Sequence, residues 1–492
     1  MTAEQWIVLA VAGAYLALSL VVGMWPQSTD SAEGYVAGDR QLNLLVMYFI
    51  TGATIFSSFA FLGGPGFAYE KGAGVFYVLG YGAIGFMPFY FLGPRAARVG
   101  RAYGFVTQAE MMAFRFRMPA LAGVMAVVSV AALIPYLALQ MQGAGLVLEV
   151  VTGGRIPVWA GALVVYAVVL VYVLKSGVLG VGWTNTLQGV FMLVLAWAFG
   201  LYLPYRLYGG VQPMFEAIAE ARPTHLLAPG PKWTWGEYSA AVVVSAAGFS
   251  TWPHLFMKAF SAKSSQTLRW TVVLYPSFQL FLVPLFLIGF AGVLYPSAPS
   301  RPDQILPHML MSLELPAVIV GLFCAGALAA SMSSGDAMAH AAASIAVRDG
   351  WLRARDKTVS ASDERRHNSG AVVVVTLLAY GFAMVAHAYE VSLVILLLSA
   401  YGAVVQFAPA VVAALYWKRA HGPSVLAAMT IGSLVTLVLI VAPELQPVRL
   451  HAGLWGLLIN IAVLVGGSLW ASSEEPEGCS FVDCAADPAG DG

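Results

Sequence analysis

Thirteen apolar stretches follow one another along this chain, most of them near the roughly 20 residues needed to cross the hydrocarbon core of a bilayer. They fall near 5–24, 43–70, 73–93, 119–149, 157–174, 178–203, 237–257, 269–293, 314–347, 370–388, 391–416, 424–442 and 450–470. Lipid offers no hydrogen bonds, so segments of this kind have to satisfy their own backbone as helices. The sequence therefore predicts an all-α membrane protein with about 13 transmembrane helices. Only 10% of its residues are charged, against about 25% in soluble domains. The first stretch, EQWIVLAVAGAYLALSLVVGMW, has no basic leader and no small-residue cleavage site, and it reads as a span rather than a signal peptide.

An odd number of spans puts the termini on opposite sides. With the N-terminus outside, 18 of the 25 Lys and Arg residues fall in cytoplasmic loops and 7 outside. The positive-inside rule therefore selects N-terminus out and C-terminus in, with the cell inner (plasma) membrane as the expected location. The longest outer loop, about 204–236, is rich in Pro, Gly and Trp, and is expected to pack over the outer mouth. Net charge is zero, so no nucleic-acid partner is expected; the expected partners are lipid, a small solute and an ion. Cys324 sits in an apolar run as a small core residue. Cys479 and Cys484 lie in the tail EEPEGCSFVDCAADPAGDG without a histidine or second cysteine pair, and 471–492 reads as a disordered, solvated acidic tail.

No hydrophilic region is long enough for a soluble catalytic domain. GxxxxGK[ST], H-E-x-x-H and G-x-S-x-G are all missing, so neither an ATP-driven pump nor an enzyme is expected. Two spans instead invite interruption. The second holds Gly52, Ser57, Ser58, Gly63, Gly64, Pro65 and Gly66; the seventh holds Gly248, Ser250, Thr251 and Pro253. Proline removes a donor and glycine weakens a helix, so both can leave carbonyls free for an ion. Five spans separate them, the spacing a five-plus-five inverted repeat requires of its paired broken helices.

These residues also carry a family resemblance. EGYVAGDRQL, LGGPGFAYEKG, YGFVTQAEMMAFRF, GVGWTNTLQG, TWPHLFMKAF and LAASMSSGDA resemble, in order, six short motifs of the sodium–solute symporters. The resemblance covers nearly the whole chain. It implies a LeuT-type 5+5 inverted repeat with one extra N-terminal and two extra C-terminal helices. A single transporter domain would occupy 1–470, with repeats at 43–203 and 237–416.

The resemblance further implies one coupling sodium ion, held by the carbonyls of Ala53, Phe56 and Ala330 and the hydroxyls of Ser333 and Ser334. Residues 330, 333 and 334 stand at i, i+3 and i+4 and share a helical face. Five neutral oxygens suit a hard monovalent cation; the competing fate of the serines is back-bonding to carbonyls one turn earlier. Asp336 matches the aspartate of the family's MST-x-DS pattern and, with Asn185, is assigned to the ion's exit route. A carboxylate at the bilayer centre costs about 2.5–3.5 kcal/mol on insertion scales. His340, one turn on, is expected at the membrane interface.

Departures from the family matter. Ile55 replaces an acid that some members carry, and Asn185 replaces the aspartate of WTD. Both losses favour one sodium per cycle and leave proton coupling open. By the same analogy the solute is expected beside Ser57, Phe59, Tyr136, Gln140, Ser245 and Phe249. Phe59 stands where sugar-transporting members place a glutamate, so a carboxylate or amino-acid-like solute is favoured over a sugar. The alternatives are a solute sensor of the same fold, a proton-coupled carrier and a channel.

Overall fold

The computed structural model describes residues 1–26, 32–231, 233–353, 359–391, 393–471 and 478–487. Among them all regular structure is helical, apart from one isolated bridge between Leu42 and Ala262. In chain order come α1 (Ala3–Met24), α2 (Leu44–Ile55), α3 (Gly64–Lys71), α4 (Tyr77–Phe86), α5 (Phe89–Tyr103) and α6 (Gln108–Arg115). Next are α7 (Pro119–Val151), α8 (Val158–Tyr208), α9 (Val211–Ala221), α10 (Trp235–Phe249), α11 (Ser265–Gln279) and α12 (Leu282–Gly292). The last are α13 (Ala317–Ile345), α14 (Ala361–Ala388), α15 (Leu393–Val404), α16 (Ala408–Tyr416), α17 (Gly422–Val441), α18 (Ala452–Trp470) and α19 (Gly478–Ala486).

Among the described residues nine helices are long and apolar enough to span a membrane, or ten if Leu44–Ile55 and Phe59–Phe86, bent by 55°, form one span. The thirteen expected spans are thus not all separate long helices. The bent pair covers two of them, α8 covers another two, and the 15-residue α10 is too short to count alone. Drawn straight, the 51 residues of α8 would run about 77 Å, more than twice a bilayer core. The backbone breaks at Gly177 (φ 52°, ψ −142°), where a Cβ would lie 2.5 Å from the Tyr35 carbonyl oxygen, so only glycine fits the turn.

Burial separates centre from rim. The apolar window of α13 is 78% buried, against 28% for α1 and 33% for α14. α13 is therefore the axis of the bundle, with α7 and α8 against it and α1 along its side. Its composition explains this: alanines, serines and glycines give a thin helix that neighbours can approach closely. α17 and α18 pack mainly on each other at the periphery.

One end of the bundle is tied by charge. Arg348 bridges Glu110 and Glu364, each at 2.7 Å, and Glu110 in turn accepts the amides of Val106 and Thr107 to cap α6. Arg115 donates to the carbonyls of Ala414, Trp417 and Lys418 at the end of α16.

Two expectations need correction here. The tail is not disordered over its described part: α19 packs on α5 and α16 and buries Phe481, Val482 and Ala485. Arg98 caps the Ala485 carbonyl at 2.8 Å, Lys418 pairs with Asp483 at 2.7 Å, and Phe481 stacks on Tyr103. Residues 481, 482 and 485 share one helical face, a short apolar stripe masked by the acids around it. The side chain of Cys479 lies outside the described residues. His340 is likewise not interfacial: it is 3% exposed, and its Nε2 meets the Tyr35 carbonyl at 3.0 Å under the short helix Ala32–Ala37.

Candidate functional site

The first helix break begins where Phe56 (φ −88°, ψ 81°) leaves helical geometry after Ile55. A π-helical turn, Phe59–Gly63, then leads into α3. A break in lipid needs partners for the amides it frees. One comes from α7: Gln140 accepts the Ser58 amide at 2.9 Å through Oε1, while its Nε2 donates to its own Tyr136 carbonyl at 3.1 Å. Both ends of the Gln140 amide are thus engaged in holding the break in this structure. Sequence alone saw its helical face but not the loose strand of backbone across from it.

The carbonyls of the last turn of α2 meet the hydroxyls of α13. Ser333 Oγ donates to Ala53 O at 2.9 Å and to Ala330 O at 3.2 Å; Ser334 Oγ donates to Thr54 O at 2.7 Å and reaches Ala53 O at 3.5 Å. All these residues are buried. Ala53, Ala330, Ser333 and Ser334 therefore converge, with Phe56 at the C-cap of the same turn. Back-bonding of Ser333 onto Ala330 coexists with the contact across helices.

Asp336 lies next along α13, fully buried. Its carboxylate accepts from Tyr172 Oη at 2.8 Å, Thr184 Oγ1 at 3.2 Å and Asn185 Nδ2 at 3.1 Å, all from the two halves of α8. Asn185 Oδ1 accepts from Thr54 Oγ1 at 3.1 Å. A chain of polar contacts thus links the serine pair to Asp336 through Thr54 and Asn185. Three neutral donors offset part of the desolvation of a buried carboxylate.

The second break follows α10. Ser250 Oγ donates to the Gly85 carbonyl, Thr251 Oγ1 bonds the Gly248 carbonyl at 3.0 Å, and Trp252 starts the next turn with extended backbone. Here rings rather than hydroxyls close the gap. Trp252 packs on Tyr136 and Tyr401 at 5.0 and 5.2 Å between centroids, and Phe249 on Tyr81 and Tyr275 at 6.0 Å each.

Between the two breaks lies a cavity of about 10 Å³ lined by Phe56, Phe59, Tyr81, Phe249, Tyr275 and Gln279, with small aliphatic residues between them. That is room for about one water. Of the expected cargo residues, Phe59 and Phe249 line it. Tyr136 stands beside Ser57, and Ser245 lies buried one turn before Phe249 with its hydroxyl unpartnered. Tyr81, Tyr275 and Gln279 were not anticipated. Their only sequence signal is the Tyr-x-x-x-Gln spacing in YPSFQ, common enough in membrane helices to carry little weight. A larger apolar groove of about 450 Å³, with the exposed Trp25 and Trp183, lies at the C-terminal end of α1, away from both breaks.

Asp303 accepts the Leu393 amide at 3.2 Å and so anchors the start of α15 beside α3. Burial pushes its carboxyl up to about 6.

Comparison with known proteins adds four findings. The family model for the sodium:solute symporter family matches residues 35–432. An uncharacterized symporter of Bacillus subtilis is 28% identical over 472 residues, covering 92% of this chain and 95% of that protein. The sodium/pantothenate symporter of Haemophilus influenzae is 24% identical over 451 residues, covering 89% and 91%. Among solved structures, a Na+-coupled sialic acid symporter in a substrate-bound outward-open state superposes with a TM-score of 0.79 at 19% identity, over 96% of this chain and 99% of that one.

Proposed function

Because the chain belongs to the sodium:solute symporter family, and is by that family a transporter rather than an enzyme, we propose that it imports a small organic solute by alternating access, coupled to one sodium ion per cycle. The observation that carries this reading is the meeting of Ser333 and Ser334 with the carbonyls of Ala53 and Thr54. A hydroxyl that donates to a carbonyl in one state can turn its lone pair to a cation in another, and the carbonyl then faces the same cation. The oxygens are neutral, so the ion needs no counter-charge from the protein and can leave again. Binding there fastens the last turn of α2 to α13 and fixes the break from which the solute site is built.

The repeats are read as 43–203 and 237–416 within one transporter domain over 1–470, in the plasma membrane with the N-terminus outside and the C-terminus in the cytoplasm. Asn185 and Asp336, hydrogen-bonded to each other, are read as the ion's route to the cytoplasm.

The test uses proteoliposomes offered labelled amino acids and short carboxylates under an inward sodium gradient, an inward proton gradient or neither. Accumulation is expected with sodium alone, and Ser333→Ala/Ser334→Ala is expected to lose at least about tenfold in apparent sodium affinity. Accumulation on a proton gradient alone would replace sodium with protons. Unchanged sodium dependence in the variant would overturn the site.

A further inference from the structure

The cavity between the breaks has an orientation that neither the family nor the sequence dictates. Tyr275 and Gln279 stand one turn apart on α11 and both line it. Gln279 Nε2 donates to the Leu79 carbonyl at 2.9 Å and reaches that of Val78 at 3.5 Å. Two carbonyls can be met only by the NH2 side of the amide, so its orientation is fixed. A Cβ at Gly82 would sit 2.4 Å from that nitrogen, so glycine there is what lets Gln279 dock on α4. The consequence is that Gln279 Oε1 is buried without a partner, as are Tyr275 Oη and Ser245 Oγ.

Buried polar atoms left unpartnered in this way carry a desolvation cost until something meets them. Of the two hydroxyls only that of Tyr275 belongs to the cavity lining, and it can donate or accept. The amide oxygen can only accept. The space can hold one water able to donate to Gln279, so a ligand that displaces it has to bring a donor of its own.

We infer that the cargo carries an N–H group, an ammonium or secondary amine, directed at Gln279 Oε1 and walled by the faces of Phe56, Tyr81 and Phe249. No residue lining the cavity bears a formal charge. A bare anion or a bare cation would sit there uncompensated, whereas a zwitterion brings its own balance. Aromatic faces attract a cationic nitrogen and accept an aliphatic body equally well. An O–H would also meet the amide oxygen, but only an ammonium both donates there and balances the cargo's own carboxylate. The class is therefore an amino-acid-like zwitterion, with simple monocarboxylates, which bring no donor, disfavoured. With about 10 Å³ in the described conformation, the rings have to part to admit it.

This inference rests on the carrier reading, and the experiment separates the two. Purified full-length protein in sodium is titrated, with thermal stabilisation as readout, with three matched pairs. These are L-alanine and propionate, L-proline and cyclopentanecarboxylate, and L-phenylalanine and 3-phenylpropanoate. At least one amine-bearing member is expected to bind at least about tenfold more tightly than its partner. Gln279→Leu is expected to erase that preference while keeping protection by sodium, which also shows that the variant is folded; Tyr275→Phe provides a milder second probe. Carboxylates binding within tenfold of the amines, no amine binding, or a preference that survives in Gln279→Leu would each overturn the inference. Loss of sodium protection in the wild type counts against the carrier reading instead.

Discussion

The two helix breaks sit at matching places in the chain, yet they are held in unlike ways. The first is closed by polar groups from other helices: Gln140 on the Ser58 amide, and Ser333 and Ser334 on the carbonyls of α2. The second uses its own Thr251 and a hydroxyl bond to Gly85, and is otherwise covered by Trp252, Phe249 and their aromatic neighbours. Oxygen-lined backbone suits an ion, and ring-lined backbone suits the body of an organic solute. On the proposed reading the pair divides labour: the first break alone couples to the ion, while both contribute rings to the cargo site.

The largest expected contrast is therefore in sodium dependence. The tenfold or greater loss in Ser333→Ala/Ser334→Ala should have no counterpart in Ser250→Ala/Thr251→Ala, which sodium-titrated uptake can compare directly. A similar loss in both would erase the distinction. Next in size is Gln140→Leu, which leaves the buried Ser58 amide without its acceptor and should cost about 1–3 kcal/mol. Thermal or denaturant unfolding in detergent would read it.

The smallest effect concerns the Asp303 anchor beside the first break. Asp303 titrates near 6 when folded, above its ordinary value of 3.8. Its protonated form is thus favoured by folding. The stability it contributes is complete below about pH 4 and is lost as pH rises through 6. Asp303→Asn should flatten that slope and unfold at most a few degrees higher than wild type at pH 7, a small shift to be read as melting temperature against pH. An unchanged slope would remove Asp303 from the account.

Much of this was legible in the sequence because membrane helices write their length and their interruptions plainly. Gly52 to Gly66 and Gly248 to Pro253 marked both breaks, and the i, i+3, i+4 placement of Ala330, Ser333 and Ser334 marked a shared face. What was not legible depends on contacts between distant segments. The hold of Gln140 on the Ser58 amide was hidden because that amide is freed only once α2 has broken. His340 looked interfacial because nothing local shows that 32–37 folds over it. Tyr275 and Gln279 were hidden among many polar and aromatic residues, and only Gly82, on another helix, gives the amide its orientation. In α19 three apolar residues were outweighed in the composition by the acids around them.

The division between the breaks can be tested most directly by hydrogen–deuterium exchange of the full-length protein in sodium and in potassium. The account predicts sodium-specific protection of the amides in 52–58 and 330–337, with little change in 248–252. Equal protection of both breaks, or none in 52–58, would contradict it.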